Sequence, residues 1–487
     1  MTRQRVDALR AVRIAGPGRE FLSDEEPVDV LIRDGGIADI APTGALRLTG
    51  EILDADGAWV LPGLWDGHVH AVQWALASER MPLGGARSAG EAATMMAAAD
   101  VRDDDRRIGS GFRDALWSDA PSLEELDAAT GGTATYLINA DVHSVWLNSV
   151  ALAREGFATA DGVLREEDAF EISRRLNAAD PVHADRAVRS AAERAAARGI
   201  TGIVDFDMAW NAEAWSRRLD DGFDLHRVEF AVYPGDLDRA IASGLRTGAP
   251  FGPGGIVSVG RLKIISDGSL GTRTAACSHP YADGGVGAMS VDAAQLIELL
   301  NRSAGAGLEA AVHAIGDRAV TAALDAFTHT GAAGTIEHAQ LVRRSDLARF
   351  TRLGVSASIQ PQHAVDDRDM AERLWAAQSS VAYPMRSLRA GGVSLQLGSD
   401  APVTPLDPWL AIAAAVTRTD DEREAWHPEE RLSVDEALEA SVRTSVRPGQ
   451  PADLVLCAAD PRSADGAGLR GMPVLATLLG GALTHRV

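Results

Sequence analysis

The chain has 487 residues, 46% of them hydrophobic and 24% charged. That balance suits a globular protein of about three domains, or of one large barrel with an accessory. Its net charge of −22 argues against nucleic acid or an anionic membrane surface as partner, since both need clustered lysine and arginine. Cys277 and Cys457 are too few for a disulfide framework or a cysteine-built metal knuckle. The first ten residues alternate charge with apolar side chains and hold no signal-peptide core, and no apolar run approaches the ~20 residues that span a bilayer. The expected location is the cytoplasm.

Residues 1–60 read as short strands and turns, among them Val28–Arg33 and Ile37–Ile40 around Asp34-Gly-Gly36. A first longer strand, Val60 to His70, follows. The stretch from about 75 to 162 has no regular rhythm and is expected to be an insertion; within it the run Asp103 to Arg107 reads as a solvated charged face. From Asp180 onward one phrase repeats: a capped helix, a glycine stop, then an apolar strand with a polar end. Asp180-Pro181 opens the first helix as N-cap and first-turn proline, Gly199 stops it, and Ile200 to Asp207 is the strand. Ser290 and Asp317 are the expected caps of two later helices, with strands ending at His313 and His338. Further strands follow Gly354 (Val355 to Gln360) and Gly392 (Val393 to Leu397). This alternation predicts parallel strands with crossover helices, and so many units point to a closed (β/α)8 barrel over 61–445; an open doubly wound sheet is the alternative. The tail from 446 returns to short strands, which predicts a small β-sandwich domain built from both chain ends.

One compositional fact stands out. Of 47 basic residues only one is lysine, Lys263, in the apolar strand Arg261-Leu-Lys-Ile-Ile-Ser-Asp267. Arginine cannot lose its proton or act as an amine. Two readings follow: a lysine retained for its amine, or one that pairs with Asp267 or anchors a substrate anion. In the first, reaction with carbon dioxide gives an anionic carbamate that could bridge two metal ions.

His68 and His70 stand two apart at the end of the first strand, so they face the same side, which at the C-terminal end of a barrel strand is the mouth. His313, His338 and Asp400 end three later strands. Histidines satisfied within a core have no reason to gather at one end of successive units. The set predicts a divalent metal site, zinc or similar.

These residues, in this order, resemble the amidohydrolase superfamily. Asp267-Gly-Ser-Leu-Gly-Thr-Arg, His313-Ala-Ile-Gly-Asp-Arg, Ile336-Glu-His-Ala-Gln, Gln360-Pro-Gln-His363 and Gly398-Ser-Asp-Ala-Pro are similar to its family 3 branch, which includes N-substituted formamide deformylases. A motif expected as Asp-Gly-His-Ser reads Asp141-Val-His143-Ser, with Val142 in the glycine position. The resemblance and the chemistry together imply two metal ions, one on His68 and His70 and one on His313 and His338, bridged by carbamylated Lys263. Asp400 would bind metal, take the proton from a metal-activated water and deliver it to the leaving amine. His143, Arg273 and His363 are candidate substrate contacts, with a structural ion pair the competing reading for Arg273. The implied reaction is hydrolysis of an amide-type, non-peptide C–N bond in a small molecule. Attack on a lactone, ester or phosphoester by the same centre, or a catalytically silent binding protein, are the alternatives. A second copy of the chain is the expected protein partner.

Overall fold

The repeated helix–glycine–strand phrase builds a barrel. In a computed structural model, which describes residues 3–18, 26–77, 79–102, 104–177, 180–378 and 382–487, eight parallel strands follow one another in sequence order around one sheet. They are β1 (Leu64–Val69), β2 (Ile200–Asp205), β3 (Arg227–Val232), β4 (Val257–Ile265), β5 (Ala310–Ala314), β6 (Gly334–His338), β7 (Ser356–Ile359) and β8 (Leu395–Leu397). Every residue of β1, β2, β5 and β6 is buried, as expected for parallel strands covered on both faces. The last strand meets the first through Asp400 N–H to His68 O (2.8 Å) and His70 N–H to Ala401 O (2.9 Å). These two bonds close the seam and carry Asp400 to the end of β1.

Local chemistry explains the helix starts, with two changes from the expected caps. Asp180 caps the helix Pro181–Ala196 by accepting from Val182 N. The helix Ala293–Gly305 is capped by Asp292 rather than Ser290, because Gln295 lies three residues on and closes a reciprocal capping box. The backbone N–H of Ser290 is meanwhile held by Ser266 O. For the helix Asp317–Thr330 the cap position is Gly316. Asp317 is its first helical residue, and its carboxylate accepts from the Ser278 backbone N–H (2.7 Å) and from Arg343 Nε (2.8 Å). Gly331 ends that helix at φ +65°, a left-handed turn that glycine adopts without a Cβ clash.

Two smaller sheets flank the barrel. One joins both chain ends in the order Ala482–Arg486, Val474–Leu479, Leu454–Cys457, Trp59–Pro62, Ala8–Ile14, Val28–Arg33 and Gly36–Pro42, with Ile52–Asp54 alongside Ala8–Ile14. Leu9, Val12, Val30, Val60, Leu454 and Leu478 share its core. The strand Trp59–Pro62 belongs to this sheet and runs through Gly63 into β1. The other sheet is made by the segment without barrel rhythm. Its five strands lie in the order Val163–Arg165, Ser144–Leu147, Ala134–Asn139, Arg106–Phe112 and Met81–Pro82, and the helices Ala89–Ala98 and Leu123–Thr130 contribute to its core. Of the charged run at 103–107, position 103 lies outside the described residues; Asp104 and Arg106 pair at the surface.

Candidate metal centre and active-site cavity

The C-terminal ends of β1, β4, β5, β6 and the β8 loop converge on one cavity. His68, His70, Lys263, His313, His338, His363, Asp400 and His143 all line it; Arg273 does not. The Arg273 guanidinium instead faces Asp283, with Nε 3.0 Å from Oδ2 and both side chains nearly half exposed. The ion-pair reading therefore describes where Arg273 points.

Asp400 is the hub. Its Oδ1 lies 3.4 Å from His68 Nε2 and 3.4 Å from His70 Nε2, and its Oδ2 lies 4.0 Å from His338 Nδ1 and 3.9 Å from His363 Nε2. Two three-residue groups are thus close enough to hold an ion each: His68, His70 and Asp400, and His338, His363 and Asp400. The second contains His363, which the sequence suggested as a substrate contact. His313 belongs to neither group. Its Nε2 faces Gly268 O at 3.4 Å and Asp267 Oδ1 at 3.5 Å, while its ring lies 4.6 Å from that of His338.

Lys263 is 2% exposed, with Nζ 3.1 Å from His68 Nε2 and 4.4 Å from the centre of the Phe206 ring. Asp267, its suggested salt-bridge partner, is occupied elsewhere. Its carboxylate accepts from the backbone N–H groups of Ala276 (2.9 Å), Ile315 (3.0 Å) and Gly316 (2.8 Å), which ties together the loops after β4 and β5. Lys263 forms no salt bridge among the described residues. Burial pushes its pKa down to about 8, so a neutral amine is accessible near neutral pH.

The surroundings set the charge states of a metal site. Burial, with Lys263 adding to it, lowers His68 to about 4, and burial holds His313 and His338 well below the ordinary histidine value. All three are neutral imidazoles at pH 7, the form that binds metal. Burial pushes Asp400 upward, but His68 and His70 beside it reverse the shift and keep it ionised. Within the site His338 Nδ1 and His363 Nε2, which face Asp400, are buried and meet no hydrogen-bond partner. Unpaired buried nitrogens around an ionised carboxylate are costly unless a cation satisfies them. Nitrogen and oxygen donors in this number suit zinc or a similar divalent ion, so the residues present fit such a group.

Several positioning residues carried no signal that was read from the sequence. Glu337 Oε2 accepts from His68 Nδ1 at 2.8 Å, which turns His68 Nε2 toward Lys263 and Asp400. Burial raises Glu337, yet the bond and charge of His68 take it down to about 2. Strand alternation would send Glu337 and His338 to opposite faces. The left-handed backbone of His338 (φ +72°) ends that alternation, so both side chains reach His68. Asp400 is also left-handed (φ +57°); such non-glycine conformations concentrate where a site over-determines the backbone. Asp66 accepts from His68 N–H (3.1 Å) and Ser399 N–H (2.9 Å), which pins the β1 end to the β8 loop. The segment that forms the extra sheet supplies His143, whose Nδ1 bonds Glu166 Oε2 at 2.9 Å. Val142, in the expected glycine position, takes φ +56°, a strained choice for a β-branched residue.

A parallel barrel whose strand ends gather neutral imidazoles around a buried carboxylate is a metal-dependent hydrolase fold. The amidohydrolase family model matches residues 51–485, and the chain belongs to that family. It is 27% identical to the Arabidopsis thaliana protein LONG AFTER FAR-RED 3, over 87% of this chain and 83% of that one. It is 24% identical to the N-substituted formamide deformylase of Arthrobacter pascens, over 94% of each chain. Among solved structures it resembles a metal-dependent hydrolase of Pyrococcus horikoshii OT3 with a TM-score of 0.79 and 25% identity, covering 94% of this chain and 99% of that one. No helix among the described residues is long and apolar enough to cross a membrane.

Proposed function

We propose that the protein hydrolyses an amide-type, non-peptide C–N bond of a small molecule, and that its centre holds two zinc-like ions bridged by the carbamate of Lys263. The observation that carries this reading is Asp400, buried, ionised and within 4.0 Å of nitrogens from both ligand groups. Divalent ions bound there would acidify water and polarise a carbonyl. Asp400 takes the proton of the attacking water as its oxygen bonds to the carbonyl carbon. It returns that proton to the nitrogen as the C–N bond breaks. Glu337 holds His68 in the tautomer that presents Nε2, and Asp66 keeps the β1 end against the Asp400 loop. The similarity to a formamide deformylase along nearly the whole chain supports the C–N bond as the one broken.

The test is a panel of N-formyl amides, N-acyl amides, lactones and phosphoesters on metal-loaded enzyme, each repeated with a chelator. Amide turnover that disappears with the chelator and returns with added zinc supports the reading. Preferred cleavage of a lactone or phosphoester sinks it.

A further inference from the structure

The cavity wall supplied by the extra sheet carries two carboxylates, Asp114 and Asp141. His143, Asp141, Asn139 and Asp114 all line the cavity and are linked by hydrogen bonds. Asp141 Oδ1 accepts from the His143 backbone N–H at 3.0 Å and its Oδ2 from Ser269 Oγ at 2.6 Å. Asn139 Oδ1 accepts from the Asp141 backbone N–H at 3.2 Å, and its Nδ2 donates to Asp114 Oδ1 at 2.8 Å. Every donor in this chain is neutral. Neither Asp114 nor Asp141 forms an ion pair among the described residues, and Arg165 and Arg273 act on Asp114 only at longer range. Burial raises both carboxylates, and the charge of Asp141 raises Asp114 further.

The cations nearest Asp141, His143 and Arg113, act on it through their charge but are shared with other carboxylates, Glu166 for His143 and Asp366 and Asp367 for Arg113. Arg113, also on this wall, places Nη1 3.1 Å from Asp367 and Nη2 3.0 Å from Asp366. Lys263 lies at the metal centre, and the His143 ring is bonded to Glu166. A further acceptor, Gln340 Oε1, lines the same cavity, is buried, and meets no donor. Between these polar groups the lining is apolar, with Phe170, Leu270, Ile315 and Met370.

We propose that the amine half of the substrate has an apolar body ending in a positively charged nitrogen, and that substrates with a carboxylate in that position are turned away. This rests on the amide-hydrolase reading and specifies its substrate class. The apolar body fills the space between Phe170 and Met370, and the ammonium group meets Asp114 and Asp141, two carboxylates that form no ion pair of their own because the neighbouring cations are bonded to Glu166, Asp366 and Asp367. A carboxylate there would be desolvated against two like charges, and Arg113 could receive it only by releasing Asp366 or Asp367.

The test uses three acetamides of benzylamine that differ in the para substituent: aminomethyl, methyl and carboxylate. Calorimetric binding of the three released amines to the native enzyme, together with kcat/KM for the amides, should rank aminomethyl at least about tenfold above methyl and place carboxylate last. The double variant Asp114→Asn, Asp141→Asn should remove the ranking, and each single variant should reduce it. A carboxylate compound that binds or reacts as well as the aminomethyl one overturns the proposal, and so does a ranking that survives in the double variant. Benzyl acetates with the same three substituents separate this idea from the reaction type. If the esters are cleaved in the stated order and the amides are not, the C–N reading fails and this one stands. If the amides are cleaved without order, the reverse holds.

Discussion

Replacing Lys263 by arginine keeps a positive charge and should still disable the enzyme. The side chain is 2% exposed, and its Nζ already lies 3.1 Å from His68 Nε2 and 4.4 Å above the Phe206 ring. A guanidinium would occupy the space that the carbamate takes while bringing an uncompensated buried charge, which costs about 3–5 kcal/mol. Lysine can also shed its proton here, since burial takes it to about 8, whereas arginine stays charged and cannot take up carbon dioxide. A fixed cation beside His68 and Asp400 opposes a divalent ion directly. A site penalty of about 3 kcal/mol corresponds to a loss of at least about a hundredfold in kcat/KM. Lys263→Ala should lose as much, because it too lacks the carbamate. Formate or acetate should partly restore Lys263→Ala by placing two oxygens in the vacated space, and should do nothing for Lys263→Arg. Steady-state kinetics, metal content by plasma mass spectrometry, and the mass of native enzyme with bound carbon dioxide are the readouts. As the only lysine in the chain, Lys263 leaves no second lysine as a candidate for that mass, and its loss in Lys263→Ala sets it apart from the α-amine. If Lys263→Arg keeps near-native turnover and metal content, the bridging carbamate is wrong.

Three other outcomes can be measured. Glu337→Gln removes the charge that orients His68 and should weaken metal binding about 10–100-fold with little change in the fold, as read by competition with a chromophoric chelator and by circular dichroism; unchanged affinity would remove Glu337 from the positioning role. Dialysis against a chelator should abolish activity and lower the thermal midpoint, with zinc restoring both; full activity at negligible metal content contradicts the site. His226, fully buried with both ring nitrogens unpartnered, is lowered to about 3 by burial and then by Arg218. The unfolded chain therefore binds a proton near pH 6.5 that the folded one refuses. Stability from this residue is complete above pH 6.5 and is lost at about 1.4 kcal/mol per pH unit as pH falls toward 3. His226→Leu should flatten the acid limb of the unfolding profile measured on metal-free protein, and an unaltered limb would show that His226 is not its source.

The sequence by itself determined the barrel and the face on which the site would form. Helix caps, glycine stops and apolar strands are encoded within ten or so neighbouring residues, so β2 and the run from β4 to β8 could be read directly; β3 was not singled out, and the choice between Ser290 and Asp292 needed the reciprocal bond of Gln295. His68, His70, Lys263, His313, His338 and Asp400 stood out because each ends or lies within a strand of that repeat, and strand ends share one mouth. Only the tertiary structure decided how these side chains divide around Asp400, because that depends on distances across the barrel: His363 reaches Asp400, and His313 turns toward Asp267 and Gly268. Arg273, inside a conspicuous motif, proved to face Asp283 at the surface, since no local pattern says which way an arginine turns. The substrate wall was hidden for the same reason. The segment before residue 162 has no helical or strand period tied to the barrel. Its role appears only when Ser269 meets Asp141 across 128 positions and Arg113 meets Asp367 across 254. Local propensity carries no record of contacts that chain closure alone creates.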